Sequence, residues 1–486
     1  MFQKLKSSFL VLSPIVLALF FSALARAEDI VLGMSAAFSG PSRALGIELY
    51  RGSIAYIDYI NRNGGINGKT IAIQAYDDGY NPIPAIQNTI RLVEEDRVFA
   101  LFNYVGTPTV TRILPLLPRY NKQQVYLFFP FTGAQPQRQF PYQQFVFNLR
   151  ASYAEETAGL VDNFIKIGRK RIAVFYQADA YGRSGWEGVR QELAIADLKM
   201  VGEATYRRGT PYSQSLQEQV EILKAVNPDA IISIGAYAAC AAFIRDARDA
   251  GLDVPIANIS FVGSESLLNL LLETGRKTGR DYTNNLINSQ VVPSYEDTEL
   301  PAVIEYRELM AKSQIALPEE LRSEDYQTLE YSFVSFEGFL NAKLLVEILR
   351  RMSEEPERLA VGDRDARVVE LQQRLHDRGF YTEKIDGAFG ETTAIAVRAF
   401  QSSVGIEADG QVGEATWMAL FDGEPVSLPS RSQIVSAVES IQDLELGINA
   451  PVYFDANKHQ GLSRVYYTTI EDERFVPLRN WEKWAK

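Results

Sequence analysis

From residue 29 onward, short apolar runs alternate with longer stretches in which apolar positions recur every three or four residues. The runs DIVLGMSAAF, TIAIQAYDD, RVFALFN, QVYLFFPF, RIAVFYQAD, DAIISIG and VPIANISF read as strands. Between them, ALGIELYRGSIAYIDYINRNGG with Gly64 at its end, AIQNTIRLVEED, YAEETAGLVDNFIKIG and SLQEQVEILKAVN read as helices. Near-continuously apolar strands separated by helices predict a parallel sheet covered on both faces, hence an α/β fold. Two such series, before and after about residue 148, predict two lobes.

The pattern changes after LEYSFVSFEGFLNAKLLVEILRRM. The stretch SEEPERLAVGDRDA is charged and polar and reads as a linker. Beyond it, Val368, Leu371 and Leu375 mark one face of a helix that stops at Gly379. The unit Asp-Gly-x-x-Gly-x-x-Thr then occurs twice, at Asp386, Gly387, Gly390 and Thr393 and again at Asp409, Gly410, Gly413 and Thr416. In each copy the Asp is suited to satisfy turn amides, the glycines to take positive φ, and the Thr to enter the next helix's first turn. Ala396, Val397, Phe400, Trp417 and Leu420 follow as core-facing residues. A compact all-α unit of three helices and about 60 residues is expected, near the size limit for folding alone. It would span 363–421, ahead of a further helix in SQIVSAVESIQDLELG.

Composition narrows the function classes. The 486-residue chain is 46% hydrophobic and 23% charged, as in ordinary globular protein, which argues against wholesale disorder. Net charge is −12 and no basic run is long enough to track a phosphate backbone, so no nucleic-acid partner is expected. Lys4 and Lys6 precede the apolar run FLVLSPIVLALFF, and ALARAE offers small residues at Ala25 and Ala27. That arrangement predicts a signal peptide over 1–27 and a non-lipidated protein exported to the periplasm. The single cysteine, Cys240, lies in a helix-like stretch and reads as a buried thiol.

No catalytic set emerges. His376 and His459 are widely separated and lack the clustered partners of a zinc site. Ser-x-x-Lys and Gly-x-Ser-x-Gly do not occur. Asp77 and Asp78 are adjacent on a strand and point to opposite faces. Neither a metal nor a cofactor is expected.

Four strand-to-helix loops are better candidates for chemistry, because open α/β sheets bind ligands beyond the carboxyl ends of their strands. FNYVGTPTVT places Gly106, Thr107 and Thr109 at a turn, and FFPFTGAQ ends at Thr132, Gly133 and Ala134. In the second half, QADAYGRSG and SIGAYAAC place Tyr181 and Tyr237 similarly. Small and hydroxyl residues leave amides open at a positive helix end, which suits a carboxylate. Tyrosines opposite would add an apolar wall with a hydrogen-bonding tip. The same residues serve equally well as ordinary turns and caps.

At these positions the chain resembles the periplasmic leucine/isoleucine/valine-binding proteins, the type I solute receptors of ATP-driven branched-chain amino acid importers. The resemblance is carried by GMSAAFSGPSRALGIELYRGSIAYIDYINRNGGINGKTIAIQAYDDGYNP, then YVGTPT, PFTGA, DAYG and the closing NAPVYFDANKHQG. It implies a solute-binding domain over 28–356, completed by 426–486, with two Rossmann-like lobes joined by three crossovers. The lobe boundary would lie near 148 and the chain would return to the first lobe near 292. By resemblance, the loops at Gly106, Thr107 and Thr109 and at Thr132, Gly133 and Ala134 bind the ligand's carboxylate, and Tyr181 and Tyr237 close over it. Where the family's amino-acid receptors hold the ligand ammonium with an acid, this chain has Ser260, with Glu265 nearby. A hydroxyl does not offset ammonium desolvation as a carboxylate does, so an amine-free carboxylate or amide stands beside an amino acid as the expected solute.

The unit at 363–421 resembles the peptidoglycan-binding domain attached to wall-lytic enzymes and spore-cortex proteins, on LQQRL, GFY, IDGAFGETTAIAVRAFQ and ADGQVGEATWMAL. Together the two resemblances imply a non-enzymatic periplasmic receptor whose partners are a small solute, an importer permease and peptidoglycan. A wall-attached sensor without transport, and a wall-remodelling enzyme, are the alternatives.

Overall fold

The structure, a computed structural model, describes residues 29–312, 315, 317–322, 326–353, 359–364, 366–420 and 433–486. The expected signal peptide at 1–27 lies outside the described residues.

β1 (Ile30–Ala36) pairs in parallel with β2 (Ile71–Asp77) and β3 (Ala100–Phe102). β4 (Leu127–Phe128) and β5 (Val146–Phe147) extend the sheet, again in parallel, to the order β2-β1-β3-β4-β5. Between the strands run α1 (Arg43–Arg62), α2 (Pro82–Glu94) and α3 (Thr107–Ile113). The second lobe begins with α4 (Tyr153–Lys166), whose first turn is closed by a capping box between Ser152 and Glu155. β6 (Ile172–Gln177), β7 (Gly202–Tyr206), β8 (Ala230–Ile234), β9 (Ile256–Asn258) and β10 (Leu286–Gln290) form its parallel sheet. α5 (Ala180–Ile195), α6 (Gln217–Ala225), α7 (Tyr237–Asp249) and α8 (Ser264–Thr278) connect them.

The chain then returns to the first lobe as α9 (Pro301–Lys312) and α10 (Phe333–Ser353). α10 lies against α1 at close range. A Cβ on Gly52 would fall 1.7 Å from the Ser335 carbonyl oxygen, and one on Gly338 would fall 2.2 Å from that of Leu49. Two facing glycines therefore let the backbones touch. Ser53 Oγ donates to Gly338 O at 2.9 Å and accepts from Asn103 Nδ2 at 2.8 Å, tying the helix pair to the end of β3.

Next come α11 (Ala366–Asp377), α12 (Glu391–Val404) and α13 (Glu414–Leu420), which close their own core of Val368, Leu371, Leu375, Val397, Phe400, Trp417 and Leu420. α14 (Ile434–Glu439) and the two-stranded β11 (Leu444–Glu445) and β12 (Pro451–Val452) pack back on the first lobe, with Ile434, Val438 and Val452 in its core. β13 (Tyr466–Glu471) and β14 (Arg474–Pro477) cross to the second lobe and add antiparallel strands beside β10. The sequence pattern does not mark these last strands, because only Thr468, Thr469 and Phe475 are buried in them and no continuous apolar run results.

The first and third crossovers are themselves paired. Asn148 N donates to His459 O at 2.9 Å, Gly461 N to Asn148 O at 2.8 Å, and Leu462 N to Leu149 O at 2.9 Å. Across the mouth of the cleft, Tyr237 Oη of the second lobe accepts the Ala44 amide of the first at 3.4 Å. One apolar cluster runs through both lobes, joining Phe38, Leu45, Tyr80 and Phe131 to Tyr181, Tyr237 and Phe261. The lobes are closed on one another.

Candidate ligand-binding cleft and the repeat module

Each loop of the first lobe follows a parallel strand whose end stops at the cleft. After β3 the chain turns through Gly106, whose φ is 102°; a Cβ there would fall 2.1 Å from the Tyr80 ring. Thr107 then opens α3, and its hydroxyl lies 2.7 Å from that of Thr132 in the loop after β4. Thr109 faces inward instead, donating to Val105 O at 2.6 Å and Gly106 O at 2.8 Å, so its hydroxyl closes its own turn. Thr132 Oγ1 also accepts the Ala134 amide at 3.3 Å. At Gly133 a side chain would strike Tyr153, whose ring would lie 2.5 Å from the added Cβ.

Tyr153 is the residue that joins the lobes, and sequence reasoning missed it. It lies at the start of α4, fully buried, with the Thr107 and Thr132 hydroxyls beside its own. Its ring is 5.2 Å from that of Tyr181, which is 4.6 Å from Phe261; Phe261 in turn lies 5.3 Å from Phe131 and 5.8 Å from Tyr80. Five rings from both lobes thus form one contiguous surface. Burial pushes the Tyr153 and Tyr181 hydroxyls above the usual phenol range, so both remain neutral donors. At the mouth, a cavity of about 220 Å³ is lined by Pro41, Ser42, Gly79, Tyr80 and Asn81 from one lobe and Arg208 and Gly209 from the other.

The predicted positions divide accordingly. Thr107, Thr132, Gly133 and Tyr181 meet through Tyr153. Gly106 backs Tyr80, whereas Thr109 and Ala134 are held in their own loops. Tyr237 stands apart, against the start of α1. Ser260 lies at the hinge, where its amide and hydroxyl donate to Glu156 at 2.8 and 2.9 Å. Ser289 Oγ donates to the same carboxylate at 2.5 Å. Arg150, fully buried on the first crossover, donates to Ser260 Oγ and lies 3.7 Å from Glu156 and 3.5 Å from Glu337. A sequence signal for it existed: a charged residue stands three positions after the apolar strand β5 in FNLRAS. Glu265 is turned elsewhere, accepting the Phe333 amide at 3.2 Å.

The remaining candidates have structural partners. Cys240 is buried with Ser233 Oγ at 3.2 Å, and burial pushes its thiol up to about 12. Asp77 accepts the Phe38, Ser39 and Gly79 amides, and Asp78 accepts from Ser35 and the Tyr80 amide. His459 sits between Gln143 O at 2.8 Å and Glu439 at 3.2 Å, and His376 is a half-exposed helix residue. Among the described residues, no group of three or more His, Cys, Asp or Glu is placed to hold a metal ion.

In the repeat module each Asp-Gly-x-x-Gly-x-x-Thr loop is organised by a buried glutamine from the helix before it. Gln372 Oε1 accepts the Asp386 and Gly387 amides at 3.0 Å each, while its Nε2 donates to Asp386 Oδ1, Ala388 O and Thr393 Oγ1. Gln401 repeats this with the Gly410 amide at 2.9 Å and with Asp409 Oδ1, Gln411 O and Thr416 Oγ1. The Asp carboxylates accept the Ala388 and Gln411 amides at 2.9 Å each, and Thr393 and Thr416 fall in the first turns of α12 and α13. The glycine expectation needs correction. Gly387 and Gly410 take φ of 69° and 77°, but Gly390 sits at −91°. Gly390 precedes α12 as an extended cap residue and needs no left-handed freedom there.

Residues 29–393 match a family model described as periplasmic binding protein, well over half of the chain. The chain belongs to the periplasmic binding protein family. It is 26% identical over 259 residues to the Leu/Ile/Val-binding protein of Escherichia coli K12, covering 53% of this chain and 66% of that one. The chain spans 58 to 66% of the length of such curated relatives. The crystal structure of a possible leucine/isoleucine/valine-binding protein from Rhodopirellula baltica SH 1 is similar with a TM-score of 0.69 at 27% identity, over 96% of this chain and all of that one. Over 46 residues the chain is 59% identical to the spore cortex-lytic enzyme of Halalkalibacterium halodurans, covering 10% of this chain and 14% of that enzyme. The second likeness supports the reading of the repeat as an inserted wall-binding module.

Proposed function

We propose that this protein is the solute receptor of an importer of the branched-chain amino acid type, and that residues 363–421 hold it on peptidoglycan. The carrying observation is the ring surface of Tyr80, Phe131, Tyr153, Tyr181 and Phe261, built from both lobes where their parallel strands end. A solute seated there touches both lobes at once and therefore favours the closed state by differential contact. Thr107, Thr132 and Tyr153 supply hydroxyls for its carboxylate end. The module follows α10, so a wall contact would tether the receptor without entering the cleft and would raise its concentration near a membrane permease.

The test uses the exported protein after unfolding and refolding to strip carried solute. Amino acids, amides and organic acids are screened by thermal shift, where a ligand at about a hundred times its Kd adds roughly 2.7 kcal/mol. A hit that also shrinks the radius of gyration in solution scattering supports a closing receptor. Sedimentation with purified peptidoglycan, with and without residues 358–424, tests the tether. Release of soluble wall fragments would instead favour a wall-remodelling enzyme, the reading that the lytic-enzyme likeness of the module raises.

A further inference from the structure

The hinge beneath the ring surface holds a buried charged donor that is only partly met. Arg150 is fully buried, its guanidinium 4.5 Å from the Phe131 ring and 5.9 Å from that of Tyr153. Its Nη2 donates to Ser260 Oγ and its Nη1 lies 3.5 Å from Glu337, but Nε has no hydrogen-bond partner among the described residues. The Tyr153 hydroxyl is buried beside those of Thr107 and Thr132. A buried donor left unmet is costly, and more so when charged. A buried, charged N–H left unmet beside one ring cluster therefore marks a place where a ligand supplies the acceptor.

The carboxylates nearby do not offer a matching seat for a cation. Glu156 receives the Ser260 amide, Ser260 Oγ and Ser289 Oγ. Asp179 receives Gln177 Nε2 at 2.8 Å, the Tyr181 amide at 3.0 Å and Arg208 at 3.3 Å. Asp78 is held by Ser35 and the Tyr80 amide; Glu265 accepts the Phe333 amide through Oε1, its Oε2 is buried without a hydrogen-bond partner, and burial pushes its carboxyl up to about 7. Glu337 lies 3.5 Å from Arg150 itself, and burial pushes its carboxyl up to about 7, so it is a weak anionic partner. An ammonium brought into this surface would lose its water and meet only carboxylates that are already bonded or that burial holds toward the neutral form, which is costly.

Resting on the receptor reading, we infer that the ligand is an amine-free carboxylate with a flat or aromatic body, anchored on Arg150 and Tyr153. The carboxylate meets the guanidinium and the phenol by charge-assisted hydrogen bonds, and the rings of Phe131, Tyr181 and Phe261 enclose the body.

The experiment compares matched pairs on the refolded full chain by calorimetry: leucine with 4-methylpentanoate, and phenylalanine with 3-phenylpropanoate, with benzoate as a third acid. Each pair differs only in the amine. The expected result is that at least one acid binds and that it binds at least tenfold tighter than its amino acid, with Arg150→Lys weakening that acid at least tenfold. Tighter binding of leucine or phenylalanine than of the matched acid overturns the inference while leaving the receptor reading intact. Absence of binding by every acid and amino acid overturns both. Should Arg150→Lys fail to fold, the wild-type pairs decide alone.

Discussion

Gln177, at the end of β6 in the second lobe, donates its Nε2 to the Tyr80 hydroxyl of the first lobe at 3.2 Å, and both side chains are buried. The bond exists only when the lobes are closed, so it is a reporter of closure as well as part of it. Its partners are otherwise satisfied: Gln177 Nε2 also reaches Asp179 at 2.8 Å, and Tyr206 Oη donates to Gln177 Oε1 at 3.1 Å.

Tyr80→Phe should therefore weaken closure, since it leaves one of the two Gln177 Nε2 protons without its acceptor. Losing one such hydrogen bond costs about 1 kcal/mol, or roughly fivefold in affinity for whatever solute closes the cleft. Titration of wild type and variant with the same solute checks this. Unchanged affinity together with an unchanged closed-state radius would show that the contact is incidental.

Gly338→Ala tests the helix pair behind the first lobe. An added methyl would fall 2.2 Å from Leu49 O, a backbone atom that cannot swing aside, and 3.1 Å from Ser53 Oγ. α1 and α10 must separate, and overpacking of this kind costs about 1–3 kcal/mol or more. The thermal midpoint of the receptor should drop by several degrees, while wall binding is untouched.

Gln401→Ala should do the converse. It leaves the Gly410 amide without its buried acceptor and removes the donor to Asp409, Gln411 and Thr416. One orphaned buried amide and three lost bonds are expected to destabilise the module by about 2–4 kcal/mol. Gln372→Ala is the equivalent change in the first copy. In either variant, sedimentation with peptidoglycan should fall and solute affinity in the cleft should hold.

Glu337 gives the receptor a pH dependence of defined sign. Burial raises its pKa from 4.5 to about 7, against Arg150 and Arg138, which lower it, and with Glu156, which raises it. Between those values the folded protein keeps a proton that the unfolded chain has released. The stability this group contributes is complete below the unfolded value and is lost as pH rises through the folded one, with a slope of at most about 1.4 kcal/mol per pH unit. Asp78 and Glu265, also pushed up to about 7 mainly by burial, act in the same direction. Thermal midpoints measured at constant salt should fall from about pH 5 to about pH 8. Glu337→Gln should flatten the slope by one group's share; an unchanged slope would remove Glu337 from this role.

Several parts of the molecule were legible before any coordinates. The apolar runs of β1, β6 and β8 are buried along most or all of their length, and such strands identify themselves because both faces need cover. The repeat at Asp386 and Asp409 was legible because a turn stabilised by its own Asp depends on neighbours only two residues away. β13 and β14 were not, since their role is to complete a sheet begun 176 positions earlier in the register, with Gln290 opposite Tyr466. Gln372 and Gln401 were hidden for a similar reason: nothing local separates a buried glutamine that organises a loop from an exposed one on a helix.

The sequence by itself determined the α/β alternation, the two series of strands, the inserted repeat and the loops after β3 and β4, because periodicity and turn chemistry act over a few residues. Tertiary structure alone decided which polar groups meet. Arg150, Tyr153, Glu156, Ser260 and Glu337 come from the first crossover, the start of α4, the loop after β9 and α10, so their partnership depends on how three passes of the chain are brought to a single hinge. Burial then set their protonation and their unmet hydrogen bonds, and burial is a property of the closed lobes rather than of any segment.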